Sequence, residues 1–333
     1  MPDDESTRGQ DTLVEEEEAA RLEDAIAHAA SGGIQAEAAV AAVAAVEGGV
    51  SEYQASLWGD AWRQLRKNPL FIIASVLLVV FTVMAIAPGL FTTRSPEDFD
   101  LSRSVEPPSS EHWFGIDILG HDYYTRVIYG TRVSLVIGLL VVGIDIVIAI
   151  LLGSIAGYYG RFWDGLIGRM ADIWFALPTT LAGIVFLNVM GKRGLLQVSF
   201  VLIFLGWPTL MRLMRSSVLA GRESDYVLAA RALGASNRRI LRVHILPNGI
   251  APVIVYGTIS VGIIISAEAA LSFLGVGLQL PAISWGLMIS SAQNRILQSP
   301  HLLLFPALFL STLVLCFIII GDALRDALDP RLR

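Results

Sequence analysis

Residues 212–248 read RLMRSSVLAGRESDYVLAARALGASNRRILRVHILPN, a polar interruption between two strongly apolar runs. Seven arginines fall in it, offset only by Glu223 and Asp225. On a wheel turning about 100° per residue, Ala229, Ala230, Leu233, Gly234, Asn237, Ile240 and Leu241 share one arc, and Arg231, Arg238, Arg239 and Arg242 lie opposite. The spacing predicts one amphipathic helix with a small face and a basic face, ended by Pro247. A helix resting in a lipid interface carries bulky Leu, Phe or Trp on its buried side. Small residues instead let another surface come close. A protein partner fits this face better than lipid does.

Outward from this segment the chain is a series of apolar runs. Six are expected to cross a membrane, over about 70–90, 133–158, 170–190, 195–214, 249–275 and 302–321. Backbone groups in hydrocarbon must be paired within their own segment, so the expected fold class is all-α and polytopic. Lys and Arg placement orients it. With both termini on the cytoplasmic side, the inward segments hold 15 basic residues and the outward ones 7, the asymmetry a multi-span protein shows.

Composition agrees: 54% of the 333 residues are hydrophobic, 16% are charged, and mean hydropathy is +0.62. These values exclude a soluble enzyme, a nucleic-acid-binding domain and a disordered chain. The lone Cys316 excludes an internal disulfide and a cysteine-based zinc site. The net charge of −6 is divided: residues 1–60 hold 14 acidic and 2 basic residues, whereas the remainder is basic. Residues 1–58 read as an acidic, alanine-rich, disordered cytoplasmic tail, and 59–333 as the membrane domain. The tail starts Asp3-Asp4-Glu5 and lacks the basic start and apolar core of a secretory signal.

Catalytic patterns are missing. No GxxxxGK[ST] loop is present to cradle nucleotide phosphates, and neither GxSxG nor HExxH occurs. His112, Asp117, His121 and Asp122 fall within eleven residues, a spacing that a cation site or a packed loop would share; the packed loop is the expectation, and no metal is assigned. Asp145 and Glu268 lie within apolar runs, where carboxylates are costly. Both are candidates for packing or gating. Gly153 and Gly157 form a GxxxG, read as close helix packing.

The segment LAARALGASNRRILRVHILP, 228–247, resembles the EAA motif of ABC-importer permeases, with Ala229-Ala230, then Gly234, then Leu246-Pro247. Leu228 stands where that motif usually starts with Glu. DYVLAARALGAS with HILPN is similar to the dipeptide/oligopeptide/nickel branch of that family. So are WFGIDILGHDYYTRVIYGTRVSL at 113–135, GYYGRFWDGLIGRMADIWFALP at 157–178, AEAALSFLGVGLQ at 267–279 and the terminal DPRLR. His121 replaces the family's usual Arg. The likeness covers residues 60–333 and points to the C-type permease subunit.

The resemblance implies a type I ABC-importer permease of six transmembrane helices in a bacterial inner membrane. It implies a second, homologous permease, two cytoplasmic ABC ATPases that hold ATP and Mg, and an extracytoplasmic binding protein. This chain would bind no cofactor and catalyse nothing. The loop over about 220–247 would be the coupling element, through Ala229, Ala230, Leu233, Gly234, His244, Leu246 and Pro247. Peptides are the expected cargo, with nickel chelates, glutathione, opines or haem as alternatives. A secondary transporter would show paired internal repeats, and a membrane enzyme convergent nucleophiles or metal ligands; neither pattern is evident.

Overall fold

The computed structural model describes residues 57–328. The acidic tail and the terminal DPRLR lie outside them. The chain divides after Asp60 into two units, and the second, Ala61–Arg333, holds the helical bundle.

Helix α1 (Leu57–Leu65) precedes α2 (Pro69–Ile86). Asn68 starts α2, its side-chain oxygen accepting from the N–H groups of Leu70 at 3.0 Å and Phe71 at 3.3 Å. Pro69 follows at the first turn, where its missing N–H costs nothing. Little of α2 is covered: Leu70, Ile73 and Val79 are exposed, and only Ala74, Phe81 and Ala85 are buried. In a membrane that face meets lipid or another helix.

α3 is one helical rod of 37 residues, Tyr123–Tyr159, ten residues longer at its start than the expected second span. A π turn at Ala149–Gly153 interrupts its hydrogen-bond register. The GxxxG then faces α6 (Leu195–Arg222). A Cβ added at Gly153 would sit 2.7 Å from the Met211 carbonyl oxygen, and one at Gly157 2.8 Å from that of Arg215. Only glycine admits these backbones so closely.

The third expected span is not one rod. α4 (Arg161–Phe175) and α5 (Thr179–Met190) meet at a bend of 88°. Pro178 explains the break, because it lacks an N–H and pushes the preceding residue out of helical geometry. Among the described residues five helices are long and apolar enough to cross a membrane; α4 and α5 pass that test only as a pair.

α6 runs through Pro208 and α11 (His301–Leu328) through Pro306. A proline inside a helix frees the carbonyl four residues earlier. At Phe204 that oxygen accepts from the Trp174 indole N–H of α4, and at Leu302 from the Tyr123 hydroxyl of α3. Each freed acceptor thus becomes a tie between helices.

α7 (Asp225–Ala232) and α8 (residues 237–249) lie between α6 and α9 (Ala251–Phe273); α10 (Trp285–Ala292) precedes α11. Apolar clusters bind the bundle. One gathers Phe81, Tyr123, Ile265, Trp285 and Phe317 from α2, α3, α9, α10 and α11. Another joins Ala156, Met211, Met214, Val218 and Val253 to Val227, Ile240 and Ile245. The first cluster borders the end formed by residues 91–122 and 274–300; the second borders the end formed by residues 223–250. Phe114 stacks on Phe305 at 3.8 Å, fastening the outermost loop of the first end to α11. Among the described residues the only β-type pairing is two isolated bridges, Phe99 with His121 and Ile116 with Asp122.

Candidate functional site: an exposed helical loop and a cavity in the bundle

The loop at 223–250 is a helical hairpin and not the single helix its spacing predicts. α7 stops at Leu233, and Gly234 adopts φ +82°. The Gly234 N–H donates to Arg231 O, and the Ala235 N–H donates back to Ala230 O, each at 3.0 Å. That pair of bonds with a left-handed glycine closes a helix C-terminus. Gly234 is therefore set by backbone conformation, and the space around it is open: a Cβ there would meet nothing within 4 Å.

The break redistributes the expected small face. Ala229 and Gly234 are exposed, Leu233 is 89% exposed, and Ala230 is half-buried. Ile240 is buried instead, in the cluster with Met211 and Met214. Asn237 turns away to accept from the Tyr158 hydroxyl at 2.9 Å. The four arginines Arg231, Arg238, Arg239 and Arg242 stay exposed. Pro247 does not end α8 either. A π turn at Ile240–Ile245 carries the helix into Leu246–Gly249, with Pro247 in the first turn of that piece. His244 and Leu246 are half-buried, and Pro247 is exposed. Buried Val227, Ile240 and Ile245 thus root a hairpin whose turn, at Leu233 and Gly234, is exposed.

The four His and Asp side chains of the 112–122 segment separate into two pairs. The His112 ring meets Asp122 at 2.7 Å with Arg94 beside both. His121 meets Asp117 at 3.0 Å, with Arg126 at 3.7 Å. Asp122 also caps α3, accepting from the Thr125 N–H and hydroxyl at 2.9 and 2.7 Å. Burial works against its charge, but the Thr125 and His112 contacts and nearby Arg94 prevail and hold the carboxyl below its ordinary value. The segment is a packed, cross-tied loop.

The intramembrane carboxylates also part company. Glu268 is fully buried at the corner between α9 and α10, where its Oε1 accepts from Ser272 at 2.7 Å and Ser284 at 3.2 Å. Ser272 in turn receives the Leu278 N–H at 3.0 Å, and Ser284 caps α10 through Leu287 N. Asp145 instead lines an open-sided cavity of about 350 Å³ formed by α3, α4, α5, α6 and α9.

A family model described as "Binding-protein-dependent transport system inner membrane component" matches residues 149–333, and one described as "N-terminal TM domain of oligopeptide transport permease C" matches 56–108. The chain is 41% identical over 281 residues to the dipeptide transport system permease protein DppC of Alkalihalophilus pseudofirmus, covering 84% of this chain and 91% of that one. The chain belongs to the binding-protein-dependent transport permeases. This permease is also similar to the oligopeptide transport system permease protein OppC of Bacillus subtilis, at 37% identity over 85% of this chain and 93% of that one. The glutathione transport system permease protein GsiD of Escherichia coli is 37% identical to it over 83% of this chain and 91% of its own length. It is a DppC/OppC-like, multi-pass membrane permease of an ABC import system.

Within the permease, the larger family match takes in the loop hairpin and every cavity residue except Asp145. Two ion pairs between α4 and α6 go beyond what the sequence pattern predicts: Arg212 with Asp172 at 2.5 Å, and Arg215 with Asp164. They tie α4 to α6. The Arg212 guanidinium also lies 4.1 Å from the centre of the Phe175 ring. The sequence offers only a faint signal for them: four charges spaced so that two helices can pair, with nothing to say which helices meet.

Proposed function

We propose that this permease forms half of the translocation pathway for di- and oligopeptides and carries ATPase motion into the bundle through the hairpin at 223–250. The observation that carries the proposal is the hairpin's construction. Its tip exposes Leu228, Leu233 and the left-handed turn at Gly234, while its base is buried among Met211, Met214 and Val218 of α6. A tip that seats in a partner can therefore move α6 and the packed α3 as a rigid-body step. ATP and Mg belong to that partner, because this chain has no phosphate-binding loop.

The relatives named for dipeptide and oligopeptide transport support peptides as cargo, and the GsiD likeness keeps glutathione, itself a small peptide, as the second reading. A second permease, two ATPases and an extracytoplasmic binding protein complete the assembly. Both termini and the hairpin face the cytoplasm in this reading, in line with the 15-to-7 basic asymmetry.

Co-purification tests the coupling role. Leu233→Asp leaves the bundle untouched, because the side chain has almost no intramolecular contact, and it should abolish retention of the ATPases while the second permease stays bound. Full ATPase content with normal ATP-driven uptake would refute the assignment. Cysteine labelling checks orientation: in intact cells a thiol at Glu106 should react and one at Ser236 should not.

A further inference from the structure

Asp145 is 3% exposed, and no donor among the described residues reaches its Oδ1. Glu268 differs within the same bundle: two serine hydroxyls donate to its Oε1, while its Oε2, like Asp145 Oδ1, has no donor among the described residues. Asp145 has no such cradle. Its carboxylate is accommodated because residue 206 is glycine; a Cβ there would stand 2.8 Å from Oδ2. The space it faces is the cavity at the α4–α5 elbow, of a size typical of small-molecule sites, roughly 300–1,000 Å³.

The rest of the lining is chemically one-sided. Asp145 is its only charged residue. Thr179, Thr180, Thr209 and Ser260 bring hydroxyl oxygens, and Trp174 and Tyr256 bring aromatic rings, while Phe175 already carries the Arg212 guanidinium on one face. The nearby Arg212 does not line the cavity and is engaged by Asp172. A buried acid without a donor is costly and marks a functional position in a membrane protein. Hydroxyl acceptors and ring faces favour the same guest that the carboxylate does, a cation bearing N–H donors.

We infer that this cavity binds a protonated amine of the transported peptide, with Asp145 as its counter-charge and specificity-determining residue. The inference rests on the peptide-importer reading above. An anionic group is repelled there, and a neutral acyl-capped end leaves the carboxylate without a partner. The amine comes from the peptide's amino terminus or from a basic side chain, and the two share this chemistry.

The test uses the assembled importer in membranes, carrying Thr180→Cys at the cavity lining. Thiol labelling is compared for a trimethylammonium-bearing and a sulfonate-bearing methanethiosulfonate, each normalised to its rate with free cysteine. One uncompensated charge beside the probed thiol should favour the cationic reagent by about tenfold, and Asp145→Asn should bring the ratio near one. Gly206→Ala, which displaces the carboxylate without removing it, should lower the ratio partway and serves if Asp145→Asn fails to assemble. Alanyl-alanine should slow labelling and N-acetyl-alanyl-alanine should not; N-acetyl-alanyl-lysine slows it if a side-chain amine also enters.

Equal normalised rates in the Thr180→Cys parent, or equal protection by the free and acetylated peptides, would overturn the inference. ATP-driven uptake of alanyl-alanine separates the two readings. Intact uptake with no charge preference removes the cation site alone. A charge preference with no peptide uptake in the Asp145-containing assembly supports the cation site and removes the peptide cargo.

Discussion

The Tyr123 hydroxyl donates to the carbonyl oxygen of Leu302, the acceptor that Pro306 leaves without its helical donor in α11. Residues 179 positions apart in sequence thus settle one another's polar groups at the end of the bundle formed by residues 91–122 and 274–300. Trp174 and Phe204 repeat the device at Pro208.

Removing that donor strands a buried carbonyl. Tyr123→Phe should lower the unfolding midpoint in detergent by an amount equivalent to about 1–2 kcal/mol, within the range for interhelical bonds in membranes. Tyr124→Phe, one position along, should have a smaller effect. Replacing Pro306 by Ala supplies a backbone donor to Leu302 and should partly rescue Tyr123→Phe, which a double-mutant cycle of melting curves would read.

Gly153 and Gly157 admit no larger residue. Gly153→Leu should force α3 from α6 and destabilise the chain by about 1–3 kcal/mol or more, as overpacking does. Gly143→Leu, at a position with nothing within 4 Å of an added Cβ, should be tolerated. Yield of folded permease after detergent extraction discriminates the pair.

At the α9–α10 corner, Glu268→Gln keeps an acceptor for Ser272 and Ser284 and should preserve assembly, with transport partly reduced. Glu268→Ala removes it from both hydroxyls, and the unsatisfied corner should cost about 1–3 kcal/mol. Melting of the two purified variants reads the difference. An unchanged midpoint in Glu268→Ala would exclude a packing role.

Acid sensitivity should map to Asp122. Its folded pKa lies below the ordinary value of 3.8, so the unfolded chain takes up the proton first as pH falls. The stabilisation is complete above that ordinary value and declines as pH drops through the folded one. Asp122→Asn should lower the melting temperature at neutral pH and flatten its decline in this acid window. Proteolysis between residues 91 and 122, followed against pH, reports the same event locally.

The apolar runs make most of the bundle legible, because a span needs only length and hydropathy to be seen. What they conceal are discontinuities. Pro178 lies in plain view, yet an 88° elbow depends on where α4 and α5 find partners, which one helix cannot reveal. Gly234 is legible as a small residue, but the reason for it is not. A wheel assumes unbroken helix, and the left-handed turn that only the Ala235–Ala230 bond exposes splits the expected face in two. Asp145 and Glu268 look alike in sequence, both acids among apolar neighbours. Their difference lies in Ser284 and Gly206, brought near by folding from 16 and 61 positions away.

The glycine contacts between α3 and α6 bear on how force would travel. Backbone approaches backbone at Gly153 and Gly157, with Met214 and Val218 packed beside the contact, so little side-chain freedom lies between the two rods to absorb a push. Near the hairpin the two rods are locked together, so a displacement of α6 delivered at Ile240 or Ile245 would carry α3 with it.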